Sequence, residues 1–164
     1  MQEFYYNRVE DGTFCLTGYV GDEAEVVIPD DKVFTILSDK IFRGHSEITS
    51  IRIPDTVTDM GEFLFDGCVN LRRLKLPKEL KTLWGYTFVR CGIEEIVLPD
   101  GLRIIPPFAF KECKNLRRVV CGRRMEKIHA WAFAGCEQLS KEGLIHAPGV
   151  EISPQAFEMK ILNT

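Results

Sequence analysis

A phenylalanine that returns at a nearly constant interval constrains this chain more than any other feature. A period of 22 to 24 residues is typical of chains built from stacked structural units, because so short a unit cannot enclose its own apolar side chains. The period therefore predicts an interior that is extended coil by coil, with these rings inside it. The six phenylalanines of the series are Phe42, Phe65, Phe88, Phe110, Phe133 and Phe157.

Other positions keep the same register. After each of the first four phenylalanines comes a short segment whose last two apolar residues are two apart, as in Leu74 and Leu76. This is the spacing of a strand with one buried face. Proline closes most of these segments, since it lacks the N–H that a strand ladder requires. Four copies also carry a cysteine three residues after the phenylalanine: Cys68, Cys91, Cys113 and Cys136.

The combined pattern LxxLxLPxxLxxIxxxxFxxCxxL resembles the BspA-like (Treponema pallidum type) subclass of the leucine-rich repeat family over about residues 29 to 158. The resemblance implies a leucine-rich repeat solenoid, α/β but strand-dominated: a right-handed coil with a parallel sheet on the concave side and short helical turns on the convex side. Residues 29–158 would hold about five to six repeats of 22–25 residues. The sequence departs from the pattern in three places: Gly122 replaces the proline, the third copy loses a residue at CGIEEI, and LSKEGLIHAP carries an insertion that should distort the last strand.

The two ends of the chain differ. Asp11-Gly12 between apolar runs predicts a hairpin turn, and Gly21-Asp22 a second turn. Because solenoid ends need covering, residues 1–28 are predicted to form an N-terminal hairpin cap. The short tail, residues 159–164, contains Ile161 and Leu162. Either these residues fold back over the last coil, or the open C-terminal end allows self-association.

Charge and hydropathy exclude several classes of function. The formal net charge of −3 provides no global basic field, so we expect no nucleic-acid partner. No window approaches the roughly 18 apolar residues of a membrane span, so no membrane insertion is predicted. The start MQEFYYNRVEDG has no apolar core and does not read as a secretory signal. We therefore expect a cytoplasmic protein as written, with the cell surface as the alternative if a leader has been removed.

The sequence offers no candidate catalytic residue, metal ligand or cofactor site. The four cysteines of the repeat column would lie in a line, which cannot surround a metal tetrahedrally, so buried free thiols are expected. Cys15 and Cys121 have no nearby cysteine partner. The three histidines, His45, His129 and His146, fall in different repeat columns, and none is paired by spacing with a nucleophile.

Outward-pointing strand positions form the first candidate binding surface, which we call the strand face. One predicted column runs through Val97, Val120 and His146 and includes two of the cations. The face is interpreted either as a surface for an acidic partner or as cross-strand ladders of opposite charge that fix the register, and these interpretations are compatible. Its charged candidates are Arg52, Arg72, Arg73, Lys75, Glu94, Glu95, Arg117 and Arg118.

A second candidate surface lies two residues before the repeated phenylalanine, and we call it the aromatic flank. Four aromatic residues in register should stack there and remain partly exposed. Such a strip suits contact with a protein or a glycan, and its alternative is a ladder that only shields the backbone. The flank consists of Phe63, Tyr86, Phe108 and Trp131.

These patterns favour a non-enzymatic leucine-rich repeat scaffold for protein–protein recognition, working through the concave strand face or the aromatic flank. The partner is expected to be an unidentified protein. The alternative, suggested by the resemblance, is a bacterial cell-surface adhesin module that binds a host matrix protein or a glycan. The two differ in compartment and in the surface they would use.

Overall fold

The structure is a computed structural model in which residues 1–158 are described. Within these residues the chain forms short strands and a single 3-10 helix, Lys141–Gly143. The strands are β1 (Glu3–Arg8), β2 (Phe14–Val20), β3 (Glu25–Val27), β4 (Phe34–Leu37), β5 (Ser50–Arg52), β6 (Asp59–Met60), β7 (Thr82–Leu83), β8 (Glu95–Val97), β9 (Ile104–Ile105), β10 (Arg118–Val120), β11 (Lys127–Ile128), β12 (Leu144–Ile145) and β13 (Glu151–Ile152).

Each coil contributes to two parallel sheets, one before and one after its turn. In the first sheet, β3 pairs with β5, and β10 pairs with β8 and β12. The third coil joins it only through a bridge between Arg73 and Glu95, so this sheet is interrupted between β5 and β8. The second sheet runs through β2, β4, β6 and β7 and continues as β9, β11 and β13. This architecture confirms the predicted strand-dominated solenoid.

Residues one coil apart occupy equivalent positions, as the period predicts. Ile96 lies opposite Val119, which lies opposite Leu144, and all three are buried. In the second sheet Ile105 lies opposite Ile128. A single apolar interior therefore continues from coil to coil instead of closing around a centre.

The repeated phenylalanines form the axis of that interior. Phe42, Phe65, Phe88, Phe110 and Phe133 all have 0% exposure, and neighbouring centroids lie 4.9 to 5.8 Å apart. Burying a phenylalanine is worth roughly 1.5–3 kcal/mol, so the column supplies a large part of the folding free energy.

The N-terminal hairpin closes the first coil. The Asp11-Gly12 turn joins β1 to β2 as predicted, with Gly12 at a φ of 85°. Strand β2 pairs with β4, and the Tyr19 ring lies 5.3 Å from that of Phe42, which extends the interior stack by one ring. The side-chain amide of Gln2 donates to the Glu25 carbonyl at 2.6 Å and covers the edge of β3.

Several details differ from the sequence expectation. The second sheet was not predicted, because strands of two residues are too short to show alternation. The convex turns are not helical; they are runs of tight turns such as Cys68 N–H to Phe65 C=O at 3.0 Å. The backbone at Gly122 passes so close to Pro99 on the preceding coil that a Cβ would collide with the Pro99 carbonyl.

The insertion shortens the last strand of the first sheet, as expected, and it also shifts the predicted column. The 3-10 helix lies within the insertion, and β12 has two residues. Ile145, rather than His146, lies opposite Val120, because the inserted segment is one residue shorter than the column assignment assumed. The alternative roles of Ile161 and Leu162 lie outside the described residues.

Candidate functional site

The outer column of the strand face forms a charge ladder. The Glu94 carboxylate accepts from Arg117 Nη1 at 3.0 Å and lies 4.0 Å from Arg72 Nε. A second nitrogen of Arg117 reaches Glu95 at 3.4 Å. Exposed pairs of this kind contribute under about 1 kcal/mol each, so the ladder fixes register more than it stabilises the fold.

The inner column behaves differently. Its backbones lie in register, with Glu95 opposite both Arg73 and Arg118. Glu95 is engaged by Arg117, however, and neither Arg73 nor Arg118 forms an ion pair with any described residue. The same holds, across residues 1–158, for Arg52 and Lys75. Four exposed cations of the strand face are therefore left unpaired.

Exposed aliphatic side chains flank these cations in the column that contains Arg52 and Lys75. Val27 is 52% exposed, Val97 64% and Ile145 41%. Where the strands pair, the side chains of one column lie about 5 Å apart, so cations and aliphatic groups lie side by side on the same face of the coil. The arrangement suits a ligand that carries both acidic and apolar groups.

The aromatic flank is a stack. Phe63 and Tyr86 lie 4.8 Å apart with their planes at 12°, Tyr86 and Phe108 at 5.0 Å and 10°, and Phe108 and Trp131 at 5.5 Å and 13°. Arg43 lies over the Phe63 ring at 5.2 Å. The rings cover one another's faces, so the flank presents mainly ring edges to a ligand. This geometry fits the shielding ladder better than a platform for stacking a sugar.

The cysteine column is buried. The thiols of Cys68, Cys113 and Cys136 donate to the carbonyl oxygens of phenylalanines on the preceding coil, at 3.2, 2.9 and 2.9 Å. Burial raises the pKa of Cys91 to about 12 and also raises the pKa of Cys113. A thiol that keeps its proton at neutral pH is neither a nucleophile nor a metal ligand.

His45 has a structural role. His45 Nδ1 lies 2.6 Å from the Glu47 carboxylate, and its ring packs at 5.2 Å on Tyr19. Among residues 1–158, no group of three or more His, Cys, Asp or Glu side chains is placed to hold a metal. Within the same residues, no helix is long and apolar enough to cross a membrane.

Sequence reasoning missed a buried carboxylate. Asp66 is 3% exposed, and its oxygens bind Arg43 Nε at 3.0 Å and Arg90 Nη2 at 2.9 Å. Arg90 also lies 3.8 Å from Glu112. The available signal was an acid that stands one repeat after Arg43 in the column directly following the repeated phenylalanine. The cluster ties successive turns together on the side of the coil away from the first sheet.

The family model that describes the BspA type leucine rich repeat region matches residues 35–162 in six copies. The chain belongs to the BspA-type leucine-rich repeat family. No curated protein matches it. The repeats of this family thus account for the stacked phenylalanines and for both sheets.

Solved structures of other leucine-rich repeat proteins are similar to this BspA-type chain. The Treponema pallidum leucine rich repeat protein is 30% identical over 84% of this chain and 66% of its own, with a TM-score of 0.79. A leucine-rich repeat protein from Bacteroides ovatus is 29% identical over 84% and 44%, with a TM-score of 0.59. A leucine rich cell surface protein from Faecalibacterium prausnitzii shares the fold at 20% identity over 84% and 52%, with a TM-score of 0.60. The chain therefore spans between 44% and 66% of the length of these relatives.

Proposed function

We propose that this BspA-type chain is a non-enzymatic recognition scaffold that binds an acidic segment of a protein partner through the strand face. The observation that carries the proposal is that Arg52, Arg73, Lys75 and Arg118 are exposed and form no ion pair within residues 1–158, although acidic side chains lie beside them.

The ladder explains why these cations stay available. Arg117 engages both Glu94 and Glu95, and Arg72 also lies beside Glu94, so these two carboxylates are already paired. An incoming carboxylate therefore meets positive charge with little competition, and charge complementarity of this kind speeds association and selects the partner. The exposed valines beside the cations, Val27 and Val97, supply the apolar contact that a specific interface needs.

Charge reversal tests the proposal. The double variant Arg73→Glu/Arg118→Glu should bind a fluorescent peptide of alternating glutamate and valine at least about tenfold more weakly, because each close charge pair across an interface contributes about 1.5 kcal/mol or more. The matched control is Lys114→Glu, an exposed cation outside the strand face. Fluorescence anisotropy gives both affinities. Equal affinity of the wild type and the double variant for the peptide would contradict binding through the strand face.

A second candidate is a cell-surface adhesin module that uses the aromatic flank to bind a host matrix protein or a glycan. The observation in its favour is the partly exposed flank, together with the shared fold of a protein described as a cell surface protein. Antibody labelling of intact cells of the source organism separates the two candidates. Surface labelling, with adhesion reduced by Tyr86→Ala/Phe108→Ala, supports the adhesin, whereas labelling only after lysis supports the cytoplasmic scaffold.

A further inference from the structure

A column of turn residues follows the strands of the first sheet, and its carboxylates cap the next coil. Asp55 Oδ1 accepts the backbone N–H of Lys78 at 3.0 Å, and Asp100 Oδ1 accepts that of Arg123 at 3.0 Å. Both bonds join residues 23 positions apart, one repeat along the chain. Asp30 stands in the same column and makes no such bond. At two of these three positions, therefore, the carboxylate accepts one backbone N–H of the next coil.

Lys78 interrupts this column. It stands where Asp55 and Asp100 stand in the neighbouring coils, so it has no carboxylate to offer to the next coil. Within residues 1–158, the backbone N–H groups of Asp100 and Gly101 donate to no acceptor, whereas the equivalent groups on the preceding coil, those of Lys78 and Glu79, donate to the side chain and the backbone carbonyl of Asp55. The substitution both removes an acceptor and places an ammonium group at the same point.

The interruption opens into a groove of about 440 Å³. Four cationic and two acidic side chains line it, which leaves a surplus of two positive charges. Asp100 is already held by Arg123, whose Nε lies 3.8 Å from its carboxylate. The cations are Lys78, Lys81, Arg123 and Arg124, and the acids are Glu79 and Asp100.

Three of the four cations of the groove are not engaged in ion pairs with described residues. Lys78, Lys81 and Arg124 form no ion pair with a described residue, in contrast to Arg123. Unpaired cations that converge on a groove with free backbone N–H groups reproduce the two elements of anion sites in proteins, positive charge and donors from a turn.

The geometry points to a binding site for a doubly charged tetrahedral oxyanion, a phosphate group or a sulfate ion, which takes the place of the missing carboxylate. One oxygen accepts from the N–H groups of Asp100 and Gly101, while the other oxygens face Lys78, Lys81 and Arg124. The double charge matches the surplus of the groove, whereas a single carboxylate would leave one positive charge uncompensated. The site is independent of the strand face, because it uses none of the strand-face cations.

Titration by NMR tests the site directly. Inorganic phosphate and sulfate should each be added to the full chain at constant ionic strength, with chloride and acetate as the comparison anions. Phosphate, sulfate or both should shift the Asp100 and Gly101 amide signals saturably, and their relative affinities identify the preferred group. Equal shifts with chloride would overturn the site, and equal affinity for acetate would overturn the requirement for a double charge.

Lys78→Asp is the decisive variant, because it restores the column and lets the protein fill its own site. Its affinity for the preferred oxyanion should fall at least tenfold, while the Asp100 amide becomes protected from hydrogen exchange. Lys114→Asp, which makes the same charge change away from the groove, should bind like the wild type. If Lys78→Asp does not fold, Lys81→Gln/Arg124→Gln should show the same loss. Unchanged affinity in the folded variant would refute the proposal.

Discussion

Two columns of aromatic rings run along the coils, two residues apart in the repeat, and they differ in burial. Phe88 and Phe110 of the interior column lie 4.9 Å apart with planes at 5°, and both are 0% exposed. Tyr86 and Phe108 of the aromatic flank lie 5.0 Å apart at 10°, almost the same geometry, but are only half-buried. Ring stacking therefore does not distinguish the two columns.

The comparison shows that the geometry of the coil brings the rings to stacking distance in both columns. How much each ring contributes to the free energy of folding depends on its burial. Neighbouring strands in a sheet lie about 4.8 Å apart, so rings at equivalent positions are brought to stacking distance by the backbone. The interior column keeps one residue type, whereas the flank position begins with Lys40 and ends with Gln155. Lys40 has a φ of 64° and Tyr86 one of 61°, so the left-handed backbone at this position belongs to the coil and not to the aromatic ring.

The largest effect is expected inside. Phe88→Ala should lower the free energy of unfolding by about 3–5 kcal/mol, because it removes a buried ring and leaves a cavity between two others. Urea denaturation followed by circular dichroism measures this. Val69→Ala, at a side chain that is 46% exposed, is the control. A loss for Phe88→Ala no larger than that of the control would contradict the interior assignment.

The pH dependence of stability tests whether water is excluded from the thiols beside the interior column. Burial raises the pKa of Cys91 to about 12, above its ordinary value of 9.0, so its neutral form is favoured in the folded state. The associated stability is complete below about pH 9 and is lost as the pH rises towards 12. By pH 10 this thiol should account for a loss of about 1 kcal/mol.

Cys91→Ala supplies the measurement for that prediction. The drop in unfolding free energy between pH 7.5 and pH 10 should be smaller in the variant than in the wild type, whatever the variant's stability at neutral pH. Cys15→Ala, at a less buried thiol, is the matched comparison. An identical drop in wild type and Cys91→Ala would mean that this thiol is accessible to water.

Removing a ring from the flank should cost less. Tyr86→Ala should destabilise by about 1 kcal/mol, since it abolishes two aromatic contacts while much of the lost surface was already exposed. Denaturant titration beside Phe88→Ala makes the comparison direct. A loss equal to that of Phe88→Ala would show that burial does not separate the columns.

The smallest effect isolates the backbone of the flank. Tyr86→Gly should be more stable than Tyr86→Ala by roughly 0.5–1 kcal/mol, because only glycine adopts a positive φ without a steric penalty. Ala109→Gly, at the neighbouring buried position of the next coil, should instead destabilise. Thermal unfolding ranks the variants, and a less stable Tyr86→Gly would contradict the role of the left-handed backbone.

The sequence predicted what depends on the period. Phe88 and Leu74 were assigned to the interior because their environment recurs in every coil, and the assignment needed no knowledge of individual side-chain conformations. The second sheet escaped prediction because strands such as Thr82–Leu83 are too short to show a pattern. The position of the second sheet becomes apparent only when the path of the whole coil is known.

The candidate sites were harder to predict, because they depend on where long side chains reach. The column of Arg73, Glu95 and Arg118 looks like a balanced ladder in sequence, yet Arg117 from the adjacent column takes Glu95. The groove beside Lys78 was visible only once its N–H neighbours were placed. A period identifies equivalent positions, but a site arises where one coil departs from the others.

The Gln2 side-chain amide binds a backbone carbonyl at the outer edge of β3 and so covers the first strand of the first sheet. A coil added ahead of β3 would have to displace this side chain, since both would compete for the same backbone groups. Duplication or loss of a repeat within the array leaves that contact untouched. A repeat added or removed further along the array would therefore not disturb its first coil.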